Sequence, residues 1–164
     1  MHTKRKGTIA ELSVASRLSE LGWNVLLPLG ENCRYDLVAE KNGRFIRVQV
    51  KYVTPKNGVL YVNCCSSNNW SVLHYTSEEI DVIAAYDAND GAAYFVPVNQ
   101  IRKSAICLRL TPTKNGQSAG VRYARDFTTF DGELAADSLA DFSSRDFLVC
   151  DFRAGAGVAN RSSL

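Results

Sequence analysis

Apolar and polar positions alternate most regularly over residues 36–52, DLVAEKNGRFIRVQVKY. Leu37, Ala39, Ile46, Val48, Val50 and Tyr52 fall on one face of a period-two pattern. Asp36, Val38, Glu40, Phe45, Arg47, Gln49 and Lys51 fall on the other. Asn42-Gly43 between the two arms is a strong hairpin signal, because a type I′ turn needs positive φ at both central positions. With that loop Lys41 faces Arg44 and Asp36 faces Gln49, their Cβ atoms ~5 Å apart, with Lys51 a diagonal neighbour. A carboxylate, an amide oxygen and an ammonium then converge on the polar face. A turn one residue longer would separate them, since a register slip exchanges the faces.

Around this hairpin the pattern predicts a helix over 8–22, opened by Thr8 and closed by Gly22, and then an apolar strand WNVLLPL. GVLYVNCC reads as a fourth strand and SSNNWSVLHYTSEE as a polar loop. IDVIAAYD and AAYFVPVN read as strands split by the turn signal NDG, followed by a short helix over 100–105 and a strand and loop, ICLRLTPTKNGQ. This order indicates an α/β (α+β) fold with a mixed central β-sheet flanked by helices. At helical spacing Glu11 lies in the arc of Ala10, Val14, Ala15, Leu18 and Leu21. A carboxylate facing the sheet requires a cation or donors there. Thr8 to Glu11 also has capping-box spacing, so Glu11 has two candidate jobs, site and cap.

Length and composition set the frame. The 164 residues suffice for one domain with a sizeable core, and we place it at 1–125, with an Asp-, Ser-, Ala- and Gly-rich tail at 126–164 that is partly disordered or forms an interface. The net charge of +2 hides an asymmetry: residues 1–125 carry 16 Lys/Arg against 10 Asp/Glu, and 126–164 carry 3 against 7. A basic body points modestly to a polyanion. Cysteines 33, 64, 65, 107 and 150 form no C-x-x-C pair or metal-ligand spacing, so free thiols in a reducing compartment are expected, without zinc. No apolar run approaches a membrane span and the basic start lacks a signal-peptide core, which suggests a cytoplasmic protein, nucleoid-associated when bound to DNA.

Asp36, then Gln49-Val50-Lys51 on the next strand, with Glu11 on a preceding helix, resembles the PD-(D/E)XK nuclease core. The lysine-rich start, LGWNVLLPLG and RYDLVAEKNGRFIRVQVK are similar to the group I intron-associated PD-(D/E)XK homing endonucleases of cyanobacteria, over roughly residues 5–110. The resemblance implies a restriction-endonuclease-like fold and metal-dependent hydrolysis of double-stranded DNA. On it, Asp36, Gln49, the Val50 carbonyl and Glu11 bind Mg²⁺ (or Mn²⁺), and Lys51 assists at the phosphate. The sequence departs from the family pattern at Gln49, where an acid is usual, and at Tyr35, where proline usually precedes the Asp. Gln offers an oxygen without charge, so either Glu11 supplies the missing charge or the site is weak or disabled.

Candidate DNA contacts are Lys4, Arg5, Lys6, Arg34, Lys56, Arg102 and Lys103, with Arg109, Lys114, Arg122 and Arg125 further along. Asn69, Trp70 and His74 lie in a loop whose residue types suit groove reading. Only His2 and His74 are histidines, which argues against an HNH nuclease. The readings left open are a sequence-specific homing or restriction-like endonuclease, a structure-specific nuclease such as a Holliday junction resolvase, and a non-catalytic DNA-binding module with a degenerate metal site. A double-strand break made by one site per chain requires a homodimer or homotetramer, with FLVCDF and IDVIAAY as interface candidates.

Overall fold

The computed structural model describes residues 2–30, 32–67, 72–101, 104–113 and 116–130. The acidic segment 131–164 with FLVCDF, and the candidate contacts Asn69, Trp70, Arg102, Lys103 and Lys114, lie outside the described residues.

A helix, α1 (Thr3–Glu20), leads into strands β1 (Asn24–Leu26), β2 (Leu37–Lys41) and β3 (Arg44–Val53). Strands β4 (Val59–Asn63), β5 (Cys65–Ser67), β6 (Val72–His74), β7 (Val82–Asp87), β8 (Ala93–Pro97) and β9 (Ala105–Arg109) follow. A mixed five-stranded sheet runs β1-β2-β3-β7-β8, with only the β3–β7 pair parallel. β4 pairs with β9, and β5 with β6, in separate two-stranded sheets. This is the mixed α+β architecture expected, with one difference: among the described residues α1 is the only α-helix, and the opposite face of the sheet is covered by β4 and β9.

The hairpin register is the one the Asn42-Gly43 turn requires, Lys41 opposite Arg44 and Leu37 opposite Val48, with φ of 54° and 77° at the two turn residues. Its even-numbered β3 face, Ile46, Val48 and Val50, packs with Leu37, Ala39, Val82, Ala84 and Phe95 under Ala10, Val14 and Leu18 of α1. The opposite face is a second core further along: Val53, Ile83, Ala85 and Val96 pack against Leu60, Val62, Ile106 and Leu108 of β4 and β9. Gln49 and Lys51 sit at the rim of that second core. A core residue's burial contributes about 1.5–3 kcal/mol, so each face has its own reason to hold register.

Several boundaries differ from the sequence reading. The helix begins five residues earlier, at Thr3, with His2 as an extended N-cap that makes no side-chain cap bond. Thr8 lies inside it and donates from Oγ1 to the Lys4 carbonyl, so Thr8 and Glu11 do not form a capping box. The early start is masked in the sequence because Lys4, Arg5 and Lys6 oppose the helix dipole and Gly7 costs ~1 kcal/mol in a helix interior. The strand at 23–29 shrinks to three residues, since Pro28 has no N–H for the ladder and constrains Leu27 before it. GVLYVNCC divides at Cys64, whose N–H bonds the Ser104 carbonyl, and the polar loop contains the β5–β6 ribbon. In place of a helix over 100–105, a 3-10 turn covers Val98–Gln100 and Ala105 opens β9. IDVIAAY forms β7, an interior strand with Val82, Ile83, Ala84 and Ala85 buried, and so offers no interface. Past residue 125, Phe127 is buried in the second core, and the Phe130 ring meets Trp23 and Phe95 edge-on at 4.9 Å.

Candidate active site

Asp36 immediately precedes β2, and its N–H bonds the Val48 carbonyl at 2.9 Å. The next amide on that edge of β3, Val50 N–H, has no strand carbonyl to meet and donates to Asp36 Oδ2 at 2.7 Å. The carboxylate thus caps the end of the ladder. Gln49 Nε2 donates to the same oxygen at 2.5 Å and lies 3.4 Å from the Val50 carbonyl. Asp36, Gln49 and Val50 therefore meet within hydrogen-bond distance, as the register predicts. Lys51 lies on the same face, close enough for its charge to favour the Asp36 carboxylate.

Burial nevertheless holds the Asp36 pKa above its ordinary value, outweighing the Val50 N–H, the Lys51 ammonium and the Gln49 amide, each of which lowers it. Glu11 reaches the site from α1. Its pKa is also raised, first by desolvation and then by the Asp36 charge, so the two carboxylates repel each other across the site. The buried stripe of α1 is Ala10, Val14 and Leu18, spaced at i, i+4 and i+8, and Glu11 lies on its half-buried flank rather than at its centre. Glu11 makes no capping box, and it lies close enough to Asp36 to feel that charge. Gly7 lies one turn earlier on the same flank, where a Cβ would stand 3.6 Å from Glu11 Oε1, an ordinary contact.

Lys51 Nζ donates to the Tyr75 hydroxyl at 2.9 Å and to the Cys65 carbonyl at 3.5 Å. Tyr75 was not legible as a site residue, because its approach depends on the β5–β6 ribbon, which the sequence shows only as a polar loop. Arg34 is engaged internally: it pairs with Glu79 at 3.0 Å, donates to Ser66 Oγ at 2.7 Å and to the His74 carbonyl at 3.4 Å. Arg47 is likewise committed to Asp81 and to the Ser77 and Glu78 carbonyls. Lys4 and Arg5 are exposed on the first turns of α1, Lys6 stands 5.4 Å over the Tyr52 ring, and Lys56 is exposed in the turn between β3 and β4. His74 is exposed at the end of β6. The described cysteines 33, 64, 65 and 107 are free thiols, and burial pushes the Cys64 pKa up to about 11.

Asp36 just before β2, Gln49-x-Lys51 on β3 and Glu11 on α1 thus form one polar cluster at the end of the β2–β3 ladder. The PD-(D/E)XK endonuclease family model matches residues 1–130, and the chain belongs to that family. Among solved structures it is similar to the bacterial homing endonuclease I-Ssp6803I, with 28% identity and a TM-score of 0.62 over 77% of this chain and 88% of that one. It also matches the Holliday junction resolvase Hjc of Archaeoglobus fulgidus, with 17% identity and a TM-score of 0.42 over 77% of this chain and 98% of that one. Comparison with curated proteins returns no match.

Proposed function

We propose that this nuclease is a sequence-specific homing endonuclease that hydrolyses phosphodiester bonds of double-stranded DNA with a divalent metal, Mg²⁺ or Mn²⁺. The observation that carries the reading is the convergence of Asp36, Gln49 and Val50, with Lys51 beside them and Glu11 within electrostatic range. The likeness to a bacterial homing endonuclease supports the finer assignment.

The residues fit a hard cation. The donor set is the Asp36 and Glu11 carboxylates, the Val50 carbonyl and the Gln49 amide oxygen, all of them the oxygen ligands a hard cation takes. A half-turn of the Gln49 amide places Oε1 where Nε2 stands, which converts it from a donor toward Asp36 into a ligand beside it. Asp36, Gln49, Val50 and Glu11 would hold the ion. When bound, it supplies Lewis acidity and lowers the pKa of its water. Lys51 adds a compact positive charge where the phosphate gains negative charge in the transition state. Lys4, Arg5 and Lys6 precede Glu11 on the same helix, and with Lys56 they provide exposed or half-exposed cations for the phosphate backbone. His74 and the segment bearing Asn69 and Trp70 would read the duplex, with Arg102 and Lys103 as further phosphate contacts. Cutting both strands calls for a homodimer or homotetramer.

Gln49 itself favours a second reading, a DNA-binding module with a degenerate metal site. Cleavage of a pool of long duplexes and of a four-way junction, with Mg²⁺ and with chelator, decides between them. Discrete duplex cuts lost in Lys51→Ala establish the homing-type enzyme. Cuts confined to the junction indicate a resolvase, and salt-sensitive binding without cleavage indicates the degenerate site.

A further inference from the structure

A lysine side chain carries about 2 kcal/mol of rotamer entropy, so an ammonium aimed at one phosphate needs something to hold it. Lys51 is held at two acceptors, the Tyr75 hydroxyl at 2.9 Å and the Cys65 carbonyl at 3.5 Å. Tyr75 is itself fixed. Its ring packs against the second core and the Arg34 guanidinium lies 4.8 Å over its centroid, while Arg34 is fastened by Glu79 and Ser66. The chain of contacts therefore runs from one internal ion pair, through a ring, to the ammonium. The chemistry of the acceptor also matters. A carboxylate would hold Lys51 more tightly but would neutralise it, whereas a phenol hydroxyl orients the ammonium and leaves its full charge for the phosphate.

We propose that Tyr75 is the positioning residue of Lys51: its hydroxyl, braced by Arg34 against the β5–β6 ribbon, sets the ammonium on the Asp36 side of the sheet rim. Tyr75 acts through Lys51 and touches no substrate. The inference rests on the nuclease reading of the site, and the same geometry ties the base of the ribbon to the catalytic strand.

The test is Tyr75→Phe, which keeps the ring with its contacts to Arg34 and to the Lys51 ammonium, each 4.8 Å from the centroid, and removes only the hydroxyl. Single-turnover cleavage is expected to fall about tenfold while duplex affinity stays within about twofold, because the ammonium loses its aim and the protein keeps its DNA contacts. In the Lys51→Ala background the same change should cost nothing further, since the two side chains act as one unit. A purely structural tyrosine would instead lower both backgrounds equally. A second readout does not depend on cleavage: reductive methylation of the free protein, followed by mass spectrometry, should run several-fold faster at Lys51 in Tyr75→Phe and unchanged at the exposed Lys56. Equal methylation of Lys51, or additive loss of cleavage, overturns the proposal. A wild-type protein that cleaves no DNA overturns the nuclease reading, and the methylation ratio then still decides whether Tyr75 restrains Lys51.

Discussion

Gln49→Glu restores the acid usual at this position and tests the electrostatics of the site directly. In the wild-type protein Gln49 Nε2 stands 2.5 Å from Asp36 Oδ2. The change replaces a hydrogen bond to a charged group, about 1.5–3 kcal/mol, by two like charges. At a separation of ~4 Å and an effective dielectric of ~20 these repel by roughly 4 kcal/mol. Both groups are half-buried, so solvent and side-chain relaxation remove part of this, and a net loss of ~3–5 kcal/mol remains in the metal-free protein at pH 8. At ~2–4 °C per kcal/mol this is a fall of about 10 °C in melting temperature. The folded pair takes up a proton at higher pH than the unfolded chain does, so the penalty is full above the folded titration. It fades as pH falls toward the unfolded carboxylate range. A divalent ion should reverse the loss at pH 8 by binding the folded form. Thermal melts at pH 5 and pH 8, with chelator and with Mg²⁺, read all of this. An equal fall at both pH values, or no recovery with Mg²⁺, would refute the assignment of Gln49 to a cation site.

Lys51→Ala and Asp36→Asn should each lower cleavage by about 10²–10³-fold, the scale set by loss of a preorganised electrostatic group, in an assay at saturating Mg²⁺. The Glu11 and Asp36 pKa values are raised in the folded protein, so their contribution to stability is full below the unfolded carboxylate range and is lost as pH rises through the folded values. Glu11→Gln should therefore flatten part of the fall in metal-free melting temperature between acid and neutral pH while reducing cleavage; a helix destabilised at every pH would return Glu11 to a structural role. Gly7→Ala should stabilise α1 by ~0.5–1 kcal/mol, since the residue is helical and the added methyl meets Glu11 Oε1 at an ordinary contact of 3.6 Å, measured as a small rise in melting temperature. Phe130→Ala should cost ~3–5 kcal/mol in chemical denaturation, because its ring fills the core between Trp23 and Phe95.

The sequence by itself determined the β2–β3 hairpin, its register and the convergence of Asp36, Gln49 and Val50. The physical reason is local. Asn42-Gly43 adopts positive φ at little cost, the turn fixes the pairing, and period-two alternation then assigns every side chain to a face without reference to the rest of the chain. The start of α1 was not legible, because charge and Gly7 weigh against a helix that tertiary packing of Ala10, Val14 and Leu18 nonetheless stabilises. Only the folded structure excluded the capping box for Glu11, since a capping box and a site acid share the same spacing and differ in whether Thr8 lies at the helix end or inside it. It also decided that Arg34 is an internal brace rather than a free cation, that the polar face of β3 becomes a second core beyond Lys51, and that Tyr75 meets Lys51. Those contacts join residues 24 to 45 positions apart through separate strands, and no local periodicity encodes a distance of that kind.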